Sequence, residues 1–163
     1  MKYFYSILYI LCIAISISIF LLTNIMTEPL KGGGGNGNPG LFFILMLYPF
    51  LLIFVYWTVL LLYKWMNIHL NTNKITILTT FSSVLTLFIL ISTINKAINF
   101  REEIVRASPT FNNINEVSLF NTFSNSIFFN CYTFLMLLLL CLSIAGFAVV
   151  FSRLKKKNRE PNF

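Results

Sequence analysis

Apolar residues in this chain come in four long runs, not in the short amphipathic patches of a water-soluble protein. Residues 3–23, 41–63, 75–94 and 127–151 contain no Asp, Glu, Lys or Arg. A helix rises about 1.5 Å per residue, so roughly 20 apolar residues cross the hydrocarbon of a bilayer, and each run reaches that length. A membrane β-barrel would show segments of about 10 residues with strict alternation; residues 135–140 read LMLLLL and do not alternate. The pattern predicts an all-α integral membrane protein, a four-transmembrane-helix antiparallel bundle forming a single membrane domain over residues 1–163.

Composition agrees. With 57% hydrophobic and 10% charged residues over 163 positions, the chain has too few charges to cover a soluble globule of that size. The first partner is therefore the lipid bilayer. Lys2 followed by an apolar stretch resembles the start of a signal peptide. The run exceeds a typical h-region of about 7 to 15 residues, however, and Asn24-Ile25-Met26-Thr27 lacks small residues at cleavage spacing, so the segment is expected to stay as a helix.

Charge gives the expected helices an orientation. In a four-span chain one side carries Lys2, Lys64, Lys74, Arg153, Lys155, Lys156, Lys157 and Arg159 against Glu160 alone. The other side carries Lys31, Lys96, Arg101 and Arg106 against Glu28, Glu102, Glu103 and Glu116, and is neutral. The positive-inside rule then puts both termini in the cytoplasm of a cell membrane. Arg153, Lys155, Lys156, Lys157 and Arg159 follow the last span directly and are expected to contact lipid headgroups, with no nucleic acid involved. Tyr56, Trp57, Tyr63 and Trp65 gather toward the same end of the second span, as interfacial anchors do.

The connections then fall on sides. Residues 24–40 form an outer loop in which five of the chain's seven glycines lie within positions 32–37, a composition that holds no regular element. Residues 64–74 make a short cytoplasmic loop, which implies that spans two and three are antiparallel neighbours, with Asn73 as a cap for the third helix. Residues 95–107 lack Gly and Pro and pair Glu102 with Arg106 at i,i+4 spacing, so the third helix is expected to outrun the membrane before Pro109. In the outer loop 95–126, Asn113 and Glu116 stand at capping-box spacing, followed by Ile114, Val117, Phe120, Asn121 and Ser124 at helical steps. That spacing predicts a short interfacial helix, running toward span four.

Within the spans, polarity is confined to small groups. Thr76, Thr79, Ser83, Thr86 and Thr93 recur on one face of the third span, and Cys141, Ala145 and Ala148, continued by Ser152, form a small-residue face on the fourth. Small residues let helices approach closely and bond across the interface, so these faces are expected to line the interior, as packing surfaces or as a path. Pro49 is expected to kink the second span.

Several chemistries lack their residues. The chain has no Asp, and its Glu residues all lie outside the apolar runs, so no span carries the carboxylate of a proton-coupled pump. Small multidrug exporters share the size and span number but depend on a membrane Glu. Cys12, Cys131 and Cys141 contain no C-x-x-C pair, and His69 has no ligating neighbour, so neither a dithiol centre, a metal site nor a cofactor site is expected. The excess of Ile, Asn, Phe and Lys suits a low-GC bacterial genome. Two functional classes follow. One is a non-enzymatic accessory, immunity or stress-related membrane factor, acting by helix packing and its outer loop on a membrane protein partner or a second copy. The other is a transporter or channel component with a path between the third and fourth spans.

Overall fold

A computed structural model describes residues 2–30, 38–107, 111 and 113–157. Four long helices are present: α1 (Lys2–Ile25), α2 (Pro39–His69), α3 (Thr72–Ala107) and α5 (Cys131–Lys157), the last preceded by the one-turn helix α4 (Asn125–Phe128). Each of the four long segments is long and apolar enough to cross a membrane. Among the described residues there is no strand.

The helices outrun the apolar runs that predict them. The stretch read as a loop over residues 64–74 is almost entirely helical, and only Leu70 and Asn71 separate α2 from α3. Polarity ends a membrane span but does not end a helix; that requires a residue that cannot continue it or a cap that replaces its lost hydrogen bonds. Here the cap is Asn71, whose side chain accepts from the Lys74 amide at 3.0 Å, and not Asn73, which is already inside α3. At the other end, Asn38 caps α2 by accepting from the Gly40 amide, with Pro39 opening the helix. The backbone of α2 stays helical through Pro49. α3 does project past its apolar run to Ala107, with Arg106 and Glu102 3.4 Å apart; Pro109 lies outside the described residues, as does the glycine run 32–37.

The segment before α5 departs most from expectation. In place of a continuous helix into the fourth span there is a single 3-10 turn (Ile114–Glu116), an irregular stretch, then α4. Asn113 accepts from the Asn115 amide and starts the turn, as its capping position suggested. Asn121 then accepts from the Phe123 and Ser124 amides, and Ser124 accepts from the Asn121 amide. Short polar side chains thus supply the hydrogen bonds that a helix would have supplied. Asn130 breaks the chain once more and caps α5, accepting from the amides of Tyr132 and Thr133.

Packing places α5 at the centre. It lies against both α2 and α3, while α1 packs on α2. The two-residue turn does not make α2 and α3 close partners, because α5 is wedged between them, with Ala145 and Val149 buried against Met66 of α2 and Ile75 of α3. α2 and α5 consequently run parallel: Phe54 stacks on Phe134 early in α5, and Asn67 meets Arg153 near its end. On α3 the most exposed large side chains are Ile77, Phe81, Val84, Phe88 and Ile91, an apolar stripe directed away from the bundle. A soluble helix would put that stripe inside.

Candidate functional site

Among the described residues, polar side chains join the helices at mid-bundle, at each end and at the α1–α2 seam, and only the mid-bundle group lies where the small-residue faces predict. At mid-bundle α3 meets α5. Thr79, Ser82 and Thr86 of α3 are buried, as are Cys141, Ser143, Ala145, Gly146 and Val149 of α5. The Ser82 and Ser143 hydroxyls are 2.8 Å apart and join the two helices. Gly146 sits directly on Thr79: a Cβ there would be 1.9 Å from Oγ1 and 3.0 Å from the Thr79 Cβ. The helices touch through a glycine at that level.

The predicted faces need correcting in detail. Thr76 is exposed and bonds back to the Thr72 carbonyl of its own helix, while Thr93 is half-buried and bonds back to Ile89. Ala148 and Ser152 are exposed. Ser83 is half-buried, with a covered hydroxyl that has no hydrogen-bond partner, like that of Thr79. Thr79, Thr86, Cys141 and Ala145 are buried in the contact as the faces predict, and Ser82, Ser143 and Gly146, which the repeat spacing does not single out, complete it. A threonine hydroxyl satisfied by its own i−4 carbonyl can face lipid, so hydroxyl periodicity marks a face without saying which way it points.

The second group closes the end of the bundle formed by residues 24–30, 38–40, 111 and 113–130, the loop end. The Asn38 and Asn125 side-chain amides bond reciprocally, each amide nitrogen 2.8 Å from the other's oxygen, and Asn125 is fully buried. Asn24 donates to the Phe129 carbonyl at 2.6 Å, and the Glu28 amide donates to the Thr122 carbonyl at 3.2 Å. Gly40 permits this closeness, since a Cβ there would be 2.7 Å from the Asn125 amide nitrogen and 3.0 Å from Thr23 Cγ2. Arg101, near the far end of α3, donates to the Ile114 carbonyl. Segment 111–130 is therefore tied to α1, to the start of α2 and to α3, and it leads directly into α5.

The third group lies at the opposite, turn end. Arg153 Nη2 donates to the carbonyls of Asn67 (3.0 Å) and Leu70 (2.9 Å), and Nη1 donates to Thr72 Oγ1 at 3.1 Å. These carbonyls belong to the last turn of α2 and its cap, where the helix leaves acceptors unpaired and the macrodipole favours a cation. The structure thus gives Arg153 protein partners where lipid headgroups were expected. Lys155 and Lys156 are exposed beyond it; the Lys157 side chain and Arg159 lie outside the described residues.

Other candidate chemistry does not converge. Cys12 and Cys141 are buried, Cys131 is exposed, and all three are free. His69 stands in the last turn of α2 with its ring 6.0 Å from that of Trp65, not in a loop. Trp57 packs against Tyr5 and Tyr9 of α1, and Tyr9 bonds to Thr58 at 2.9 Å, so this aromatic group seals a helix seam. Among the described residues no three His, Cys, Asp or Glu side chains gather to hold a metal ion.

Fold and site together define an all-α, multi-pass membrane protein, a four-helix bundle. No protein-family model, curated protein or solved structure matches the chain.

Proposed function

We propose that the protein is a non-enzymatic membrane factor of accessory, immunity or stress-related type, which acts by presenting its ordered loop end to a membrane protein partner or to a second copy of itself. The observation that carries this reading is the tethering of segment 111–130 to α1, α2 and α3 through Asn24, Asn38, Arg101 and Asn125. A preorganised surface lowers the entropy cost of association. The approach of Thr79 to Gly146 supports packing over passage between α3 and α5. The excess of Lys and Arg at the turn end supports an orientation with both termini cytoplasmic and the loop end outside.

Photo-crosslinking of the full-length protein in cells tests this. A photoreactive residue replaces the exposed Asn115 in the loop, or Phe81 on the lipid-facing stripe as a control. The reading expects one discrete adduct from Asn115, a protein or a second copy that also co-purifies in stoichiometric amount, and none from Phe81. A monomer without adducts that carries solute flux in proteoliposomes would overturn it in favour of a transporter or channel component.

A further inference from the structure

We infer that the groove between α3 and the start of α5 binds an anionic phospholipid, with an acyl chain along its walls and the phosphate at Lys96. The inference rests on the membrane fold and not on the accessory role. The groove has a volume of about 310 Å³ and is open along one side; its apolar walls are Phe88, Ile89 and Ile127, and its polar rim includes Ser92, Lys96 and Tyr132. Pockets that enclose whole small ligands run from about 300 to 1,000 Å³. A site at the bottom of that range and open on one side holds one segment of a ligand, leaving the rest in the surrounding solvent. Here that solvent is lipid, because Phe88, which lines the groove, belongs to the exposed apolar stripe of α3.

Position along the helix separates the two halves of the site. The apolar run of α3 ends at Ile94, and Lys96 is the first charged residue after Lys74. Its ammonium therefore stands at the boundary between hydrocarbon and headgroups, with Ser92 one turn deeper on the same face and Phe88 a further turn down. Among the described residues no carboxylate lies within ion-pair distance of Lys96. Glu102 and Glu103 follow it by six and seven residues, roughly 9 to 10 Å along the axis, and Glu102 is already paired with Arg106. Asn130, at the back of the groove, has both its oxygen and its amide nitrogen engaged by backbone groups, so it holds the shape and leaves Lys96 to select the ligand. An unpaired cation above apolar walls fits a phosphodiester attached to a chain. A free anion would use the cation and gain nothing from the walls.

Cys131 gives a local probe, because it is exposed beside Tyr132 while Cys12 and Cys141 are buried. The full-length protein, carrying a fluorescent thiol label on Cys131, is reconstituted into phosphatidylcholine vesicles containing rising fractions of brominated phosphatidylglycerol or, separately, brominated phosphatidylcholine. Half-maximal quenching is expected at a mole fraction about fivefold lower for the anionic lipid. Lys96→Gln should bring the two curves together and Lys96→Arg should keep them apart. Ser92→Phe, which fills the groove, should weaken quenching by both lipids. Superimposed curves in the unaltered protein, or a separation that survives Lys96→Gln, would overturn the assignment. Loss of the separation on adding inorganic phosphate would reassign the site to a soluble anion.

Discussion

The two ends of the bundle solve the same problem with different chemistry. At the turn end, one guanidinium joins the last turn of α2, the following cap and the start of α3 to α5. At the loop end, neutral amides of Asn24, Asn38 and Asn125 join α1, α2 and the segment before α5. A guanidinium only donates, so it suits a place where helix carbonyls are left over. An asparagine both donates and accepts, so Asn38 can cap the amides of α2 while bonding to Asn125 in both directions. The loop end gathers the ends of α1 and α3 and the starts of α2 and α5, which present unpaired groups of both kinds, and the side chains found there match that requirement.

The largest effect is expected where a bifunctional group is fully buried. Asn125→Leu removes both bonds to Asn38 and the 3.4 Å contact with the Met26 carbonyl, leaving Asn38 with lost partners beneath Gly40. Inter-helix hydrogen bonds in membranes average about 0.6 kcal/mol and reach about 1.7, and the half-buried Asn38 amide nitrogen also loses its partner, so the total loss should be about 3 kcal/mol. Thermal or denaturant unfolding in detergent measures it. In the double variant Asn38→Ala/Asn125→Ala the loss should fall well short of the summed single losses. Additive losses would mean that the two amides do not act as a pair.

Arg153 comes next. It is half-buried and bonded to neutral acceptors, so Arg153→Leu should cost about 2 kcal/mol in the same measurement. Lysine keeps the charge but not the planar fork that reaches the carbonyls of Asn67 and Leu70 together with Thr72, and Arg153→Lys should recover less than half. Full recovery by lysine would show that charge near the α2 terminus suffices. The two ends would then differ in charge only, not in geometry.

How much of this the sequence reveals follows from the solvent. The four spans are legible because hydrocarbon tolerates no charge along residues 3–23, 41–63, 75–94 and 127–151. The helix ends are less so, because α2 runs on to His69 and α3 to Ala107 through polar sequence that helices accept in water. Which face of a span points inward is least legible of all, since lipid is as apolar as a protein core and hydropathy is the same on both sides. Thr76 and Ala148 thus share the periodicity of the buried Thr79 and Ala145 yet are exposed, while Ser82, Ser143 and Gly146 complete the interior. The amide pair joins positions 87 residues apart, and no local spacing carries such a contact. Gly146 did carry a local signal, as the one glycine outside residues 32–40.

Midway between the ends, Gly146 tests whether the two clasps are independent. Gly146→Ala gains about 1 kcal/mol of helix propensity but loses about 1 to 3 kcal/mol by driving a methyl group into Thr79, for a net loss of about 1 kcal/mol. Thr79→Ala in the same chain should restore most of it, since both the hydroxyl and the methyl of Thr79 crowd the new Cβ. If α5 instead pivots to relieve the clash, the Arg153 and Asn125 clasps open with it. The double variant then fails to recover, and exchange of the Leu70 and Phe129 amides speeds up in Gly146→Ala.

The smallest effect should come from the other charged contact on the projecting part of α3. Arg106 and Glu102 are 3.4 Å apart, but their side chains are 79% and 53% exposed. Water solvates both groups nearly as well apart as together, so Arg106→Gln should change stability by less than about 0.5 kcal/mol, and less still in high salt. Arg101, on the same helix and five residues earlier, provides the contrast. It donates to the Ile114 carbonyl and its Nε is buried, so Arg101→Gln should loosen segment 111–117 and speed amide exchange at Val117, whose amide bonds to Ile114. Equal, small effects of the two substitutions would mean that the loop end is held by its amides alone. A larger effect for Arg101 would show that a guanidinium serves there as it does at the turn end, by holding a backbone carbonyl, here one it shares with the Val117 amide.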